Sequence, residues 1–170
     1  METQAKIPIV FSNNNRYNVK EQAIYTAKGE DKMVIYAAVD DHMGMTFNYR
    51  RQSQDKAVRK MILNETKTGR LWMNPYTKKQ FDDPAAEQII VDEDFLEKAE
   101  EEDYCFVENC SLKQYEDKIT KIILIRWGRS YPADTYFDIN LTDGRWKLLT
   151  STEFEGNSHK NITREEWVNE

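Results

Sequence analysis

Apolar residues run without interruption from Met33 to Val39, and Asp40-Asp41 close the run. A short apolar run bounded by polar residues predicts a strand buried on both faces, as in a largely parallel sheet. Shorter runs of the same kind occur at Arg70-Leu71-Trp72-Met73, Ile89-Ile90-Val91 and Tyr104-Cys105-Phe106-Val107. A longer one extends from Ile119 to Trp127, where Ile122 with Leu124 and Ile123 with Ile125 supply the two faces. After a loop through Gly44, residues Ala57, Val58, Met61 and Ile62 recur at helical spacing, which predicts a helix capped by Ser53 and stopping near Gly69. Pro75 marks a turn, and residues 76–81 predict at most a short helix. Asp92-Glu93-Asp94 place acids in the first turn of a helix through Phe95, Leu96 and Ala99, and residues 111–115 predict another short helix.

Strands alternating with helices predict an α/β domain. The tail breaks the alternation. Trp146-Lys147-Leu148-Leu149 and Asn161-Ile162-Thr163, separated by the turn signal Gly156-Asn157-Ser158, predict an antiparallel hairpin at the sheet edge. Residues 1–31 are polar, with one apolar run at Ile7-Pro8-Ile9-Val10-Phe11, and predict an N-terminal extension to a single domain over residues 32–170.

Composition narrows the class. A chain of 170 residues can bury one core without covalent staples, and a 12% aromatic content excludes a disordered acidic chain. No apolar run approaches a membrane span and the opening residues lack a secretion pattern, so the cytoplasm is the expected compartment. Cys105 and Cys110 are read as one core thiol and one incidental thiol. Among the imidazoles there are only His42 and His159, and no metal site is expected.

The net charge of −6 is segregated. Between Asn48 and Gln80 nine Lys/Arg face only Asp55 and Glu65, whereas fourteen acids between Asp82 and Asp117 face only Lys98 and Lys113. Two solvated faces that attract each other account for this, and the basic stretch could also meet a phosphate.

Several of these segments, in order, resemble dihydrofolate reductase. Ala37-Ala38-Val39-Asp40-Asp41-His42-Met43-Gly44-Met45 is similar to that family's opening strand and loop, and Pro132-Ala133-Asp134-Thr135-Tyr136-Phe137, Trp146-Lys147-Leu148-Leu149 and Glu153-Phe154 look like its closing segments. The resemblance covers about residues 33 to 168 and implies a three-layer α/β/α fold, mostly parallel with an antiparallel C-terminal hairpin. The chain is also similar to a group of small bacterial proteins sharing Gly44-Met45, Arg50-Arg51-Gln52-Ser53-Gln54-Asp55 and Ser158-His159, some of which bear a ribonuclease Z label. Two histidines do not supply the metal cluster of such a nuclease, so that chemistry is rejected.

The resemblance places Asp55 where the reductase has its substrate-binding acid; a carboxylate in a partly apolar cleft can have its proton affinity raised. Alternatively Asp55 only favours the dipole of the first helix. The family's Leu-Pro-Trp before that acid is replaced by the polar Arg50-Arg51-Gln52-Ser53-Gln54. Its phosphate-binding Gly-Arg-Lys-Thr is replaced by Asn74-Pro75-Tyr76-Thr77-Lys78, and its Gly-Gly after the fourth strand by Glu108-Asn109. A side chain and a negative charge then stand where a pyrophosphate would approach, so no NADPH and no other cofactor is expected, and reductase activity is not expected either.

Three candidate sites remain. The first is a small ligand with phosphate or heterocycle character, bound by Arg50, Arg51, Asp55, Tyr76 and Lys78, with Arg70, Lys79, Tyr49 and Trp72 gathered at the same cleft mouth. Long nucleic acid is disfavoured by the acidic stretch. The second is a metal-independent ribonuclease using His159, Arg129 and Asp134, grouped with Arg126 and Tyr131. Against it, His159 lies in a Ser-His-Lys turn of the kind usually exposed, and Asp134 could instead cap the Tyr131-Pro132 turn. The third is a non-catalytic interaction module whose acidic helix, Asp94 to Glu102, faces a partner.

Overall fold

In the computed structural model, which describes residues 32–82 and 86–169, the apolar run Met33–Val39 forms strand β1 at the middle of a seven-stranded sheet. The expected extension, residues 1–31, lies outside the described residues. Strands β4 (Leu71–Met73), β5 (Ile89–Val91), β6 (Tyr104–Val107) and β7 (Ile119–Arg126) join β1 in parallel, and β9 (Trp146–Phe154) and β10 (Ile162–Asn169) close one edge as an antiparallel hairpin. The order is β5-β4-β6-β1-β7-β10-β9. This is the expected sheet, with a longer hairpin than the turn signal alone implied.

Period-two alternation assigns each strand's side chains to two cores. Met33, Ile35 and Ala37 of β1, Cys105 and Val107 of β6, and Ile122 and Leu124 of β7 pack with Phe95, Leu96, Leu112 and Trp146 on one face. Tyr36, Phe106, Ile123 and Ile125 pack with Val58, Ile62 and Phe81 on the other. Helix α1 (Lys56–Glu65) therefore covers the second face, while α3 (Phe95–Lys98) and a 3-10 turn at Lys113–Lys118 lie on the first. Burial of these aliphatic and aromatic side chains on both faces is what holds the layers together. The short helix α2 (Pro75–Lys78) opens with Pro75 after Asn74, whose side chain accepts the Thr77 amide.

Three expectations are corrected. The cap of α1 is Asp55, not Ser53: Asp55 has extended backbone angles and its side chain accepts the Ala57 amide. The acidic segment before α3 leads into only four helical residues, because Ala99 at its C-cap is already extended. The loop through Gly44 is in fact a second sheet, in which β2 (Gly44–Phe47) lies between β3 (Arg50–Arg51) and β8 (Thr135–Tyr136). Asn48 and Tyr49 connect β2 to β3 with φ of 48° and 62°, a two-residue hairpin turn without the usual glycine. The absent Asn-Gly signal explains why the pattern concealed it.

Candidate functional site

Strands β1, β4, β6 and β7 are parallel, so their C-terminal ends share one edge of the sheet, the edge where open α/β sheets carry their sites. The buried polar residues Asp40, Asn74 and Glu108 directly follow β1, β4 and β6 there.

Asp40 is fully buried and ties this edge together. Its Oδ1 accepts the amides of His42 and Gly44, each at 2.8 Å, and its Oδ2 accepts the Gln52 side-chain amide at 3.0 Å and the Tyr131 backbone amide at 3.1 Å. Burial acts to raise its pKa, but these donors prevail and hold the carboxyl below its ordinary value.

Asp55 is organised the same way. It is 2% exposed, and besides the Ala57 amide it accepts the amides of Asn157 at 3.0 Å and Ser158 at 2.7 Å and the Ser158 hydroxyl at 2.9 Å. Burial again pushes its pKa up, but the donated hydrogen bonds outweigh it and hold the group far below the ordinary carboxylate range. The expected rise in proton affinity is therefore reversed: Asp55 is an ionised acceptor that joins the start of α1 to the β9–β10 loop. Gly156 makes this approach feasible, since a Cβ there would stand 2.5 Å from Ile162 Cδ1 and 2.6 Å from Asp55 Oδ2. Gly156→Ala is expected to cost about 1–3 kcal/mol of stability through this overlap, measured by urea unfolding.

His159 is buried at 4% exposure, which corrects the expectation of a surface turn. Its ring lies against Trp127 with centroids 4.7 Å apart. Nε2 is 2.9 Å from the Ser53 hydroxyl and 3.1 Å from that of Tyr131; Nδ1 is 3.0 Å from Ser158 Oγ and 3.5 Å from Asp55 Oδ2. The single proton of Ser158 Oγ has two acceptor-only neighbours, ionised Asp55 and, at 3.1 Å, the Gln54 carbonyl. The network thus assigns the imidazole proton to Nδ1, where it is donated to Ser158, and leaves the Nε2 lone pair for Ser53 and Tyr131. The sequence groups Tyr131 with His159, whereas Ser53 is not foreseen as a partner of this imidazole. Positions 53 and 159 meet only through the β9–β10 loop.

The basic candidates separate. Arg51 forms a two-pronged pair with Glu108 at 3.0 and 3.2 Å, donates to the Tyr76 carbonyl at 3.0 Å and lies 4.6 Å from the Tyr76 ring centroid. The Tyr76 hydroxyl in turn accepts the Arg51 amide at 2.6 Å, and Gln80 donates to Glu108 at 2.8 Å. Burial acts to lower the Arg51 pKa, but Glu108 raises it above its ordinary value. Lys78 donates to the Phe81 carbonyl. Arg70 is not at this mouth: it precedes β4, at the opposite sheet edge, where it pairs with Asp103 and Glu100 and where Trp72 also donates to Asp103. Asp134 accepts the Asn48 amide at 2.9 Å rather than capping the Tyr131-Pro132 turn. Arg126 pairs with Glu165, and no hydrogen bond or ion pair among the described residues joins His159 to Arg129 or Asp134.

A recess of about 360 Å³ opens here, lined by Phe47, Asn48, Arg50, Arg51, Gln52, Tyr131 and Pro132. Gln52 Oε1 is buried and has no hydrogen-bond partner. Three larger recesses among the described residues, of about 640, 580 and 420 Å³, lie at the opposite sheet edge beside Arg70 and Asp103, along the outer face of α1, and beside Glu65 and Arg164. None of them is lined by a residue with an unpartnered buried polar atom, which Gln52 gives the smaller recess, and there Tyr131 also contacts the buried His159, so the smaller recess is the candidate site.

The structure of dihydrofolate reductase from Enterococcus faecalis complexed with NADP(H) and RAB-propyl is similar to this chain, with a TM-score of 0.58 over 82% of this chain and 96% of that one. This chain has the dihydrofolate reductase fold. Sequence identity to that reductase is 9%, so the likeness concerns the fold alone. No protein-family model and no curated protein matches the chain. Within this reductase-like fold no described group of His, Cys, Asp and Glu could hold a metal ion, and no described helix is long and apolar enough to cross a membrane.

Proposed function

We propose that this protein binds a small ligand carrying an anionic group and a flat ring, in the recess between β3 and the Tyr131–Pro132 segment. The observation that carries this reading is Arg50: it is exposed at the recess, and its guanidinium pairs with no described residue, whereas Arg51 beside it is fully engaged. A guanidinium suits phosphate or carboxylate, and Phe47 at 48% exposure offers an apolar wall for a ring. The recess volume is at the lower end of small-molecule sites. Asp55 takes a supporting part, since its acceptor capacity is spent within the protein.

Reduction with NADPH is not part of this reading. Glu108, paired with Arg51 and Gln80, follows β6 at the position where the reductase resemblance implies glycines for pyrophosphate. A ribonuclease built on His159, Arg129 and Asp134 has no contact to support it.

Thermal unfolding against mononucleotides, folate analogues, NADPH and short RNA tests the proposal. A mononucleotide or folate analogue at about a hundred times its dissociation constant should stabilise by about 2.7 kcal/mol, a rise of roughly 5–10 °C for a domain of this size. Arg50→Glu should abolish the shift without changing the unliganded midpoint, because its side chain is exposed and supports no described contact. A shift with NADPH alone, or with nothing in the panel, would overturn the reading.

A further inference from the structure

Ser53, His159, Ser158 and Asp55 form a hydrogen-bonded relay that binding alone does not require. We propose that Ser53 is a nucleophile, activated by His159 and Asp55, that hydrolyses small carboxylic esters entering the adjacent recess. The inference rests on the recess read above as a ligand site.

The geometry has the parts of nucleophilic catalysis. Ser53 is partly exposed and its hydroxyl donates to His159 Nε2 at 2.9 Å, within the range for transfer to a general base. On the far side, Nδ1 faces Ser158 Oγ and ionised Asp55, which keep the proton on Nδ1 and stabilise the positive charge that develops on the ring. Trp127 stacks on the imidazole and restricts its rotation. Gln52 and Tyr131 connect the relay to the recess: both line it, Gln52 precedes the nucleophile, and Tyr131 shares Nε2 with it. The Ser53 and Gln54 amides donate to no described residue and are assigned to the oxyanion, the residue after a nucleophile being a recurrent donor.

Ser53 Oγ attacks the ester carbonyl carbon, and its proton moves to His159 Nε2 as the carbonyl electron pair shifts onto oxygen. Collapse of the tetrahedral adduct re-forms the carbonyl and breaks the bond to the alcohol oxygen, which leaves with the proton from Nε2. Water then attacks the acyl-Ser53 ester and gives a proton to Nε2. Expulsion of Ser53 Oγ, which recovers that proton, releases the carboxylic acid. The net change is ester plus water to acid plus alcohol. Ser53 and His159 are the catalytic residues, and Asp55 and Ser158 are positioning residues.

A fluorophosphonate probe reports the nucleophile directly, because phosphonylation releases fluoride and leaves a stable adduct on the attacking oxygen. Intact-mass and peptide mass spectrometry of the folded protein should find one adduct at Ser53, absent from Ser53→Ala and from heat-unfolded protein. His159→Gln should slow labelling by roughly a hundredfold or more. Ser158→Ala should slow it by roughly tenfold in protein that is still folded at the labelling temperature, and Ser158→Thr, which keeps the hydroxyl, should restore it; this pair decides the matter even where His159→Gln does not fold. Absence of label on the folded protein, label on another residue, or a rate indifferent to both His159→Gln and Ser158→Ala would overturn the relay. The ligand shifts are measured on Ser53→Ala in parallel. Ligand binding without labelling would sink only the hydrolase, whereas Ser53 labelling without any ligand shift would sink only the Arg50 reading.

Discussion

Asp55→Ala should lower the free energy of unfolding by about 3–5 kcal/mol, a large share of the ordinary margin for a domain. The loss has two sources. The α1 cap disappears, and the amides of Asn157 and Ser158 lose the acceptor that they share with the Ser158 hydroxyl. Asp55→Asn keeps the shape but removes the charge, and a smaller loss of about 2–3 kcal/mol is expected from weakened charge-assisted hydrogen bonds. Urea unfolding at neutral pH measures both.

The same residue shapes the acid limb of stability. The folded pKa of Asp55 is depressed, so its contribution is complete above the unfolded value of about 3.9 and drains away as pH falls below that toward the folded value. Asp40 adds to the limb with the same sign. Stability of the wild-type chain should therefore decline steeply below about pH 4, and Asp55→Asn should flatten that decline. An unchanged acid limb in the variant would show that the four donors do not stabilise the charge.

Glu108→Ala and Arg51→Ala should each destabilise by about 3–5 kcal/mol, because each leaves a desolvated charge without its partner. Glu108 is 7% exposed and the Arg51 side chain 19%, so water replaces the missing partner poorly. Arg51→Met with Glu108→Leu should come within about 1 kcal/mol of the wild type, since a well-packed apolar pair of similar volume avoids the desolvation cost. The double-mutant cycle isolates the coupling between the two positions. Near-additive losses in the cycle would show that the pair is screened despite its burial.

Most of the main sheet was legible from residue order. Continuous apolar runs mark parallel strands covered on both faces, and the alternation in Ile122–Ile125 assigns those faces correctly to the two cores. What misled was local ambiguity. Ser53 and Asp55 are both good caps two residues apart, and only the β9–β10 loop, which brings the Asn157 and Ser158 amides to Asp55, selects between them. The Asn48-Tyr49 turn lacked its usual glycine, so β2 and β3 were read as loop. Of the candidate binding residues, charge singles out Arg50 and Arg51, but nothing local distinguishes the guanidinium without a described partner from the one paired with Glu108.

The sequence by itself determined the α/β class, the central strands, the C-terminal hairpin and the substitution of Glu108-Asn109 after β6, because hydrophobic periodicity and residue type act over a few neighbouring positions. Only the tertiary structure decided that Glu108 pairs with Arg51 across 57 positions and that Ser53 reaches His159 across 106. The physical reason is that these contacts exist only after the parallel strands bring their C-terminal ends to one edge and the hairpin returns its loop to the start of α1. Closure of the sheet, not any local preference, turns separated polar residues into buried partners whose charges and protons must then be satisfied by one another.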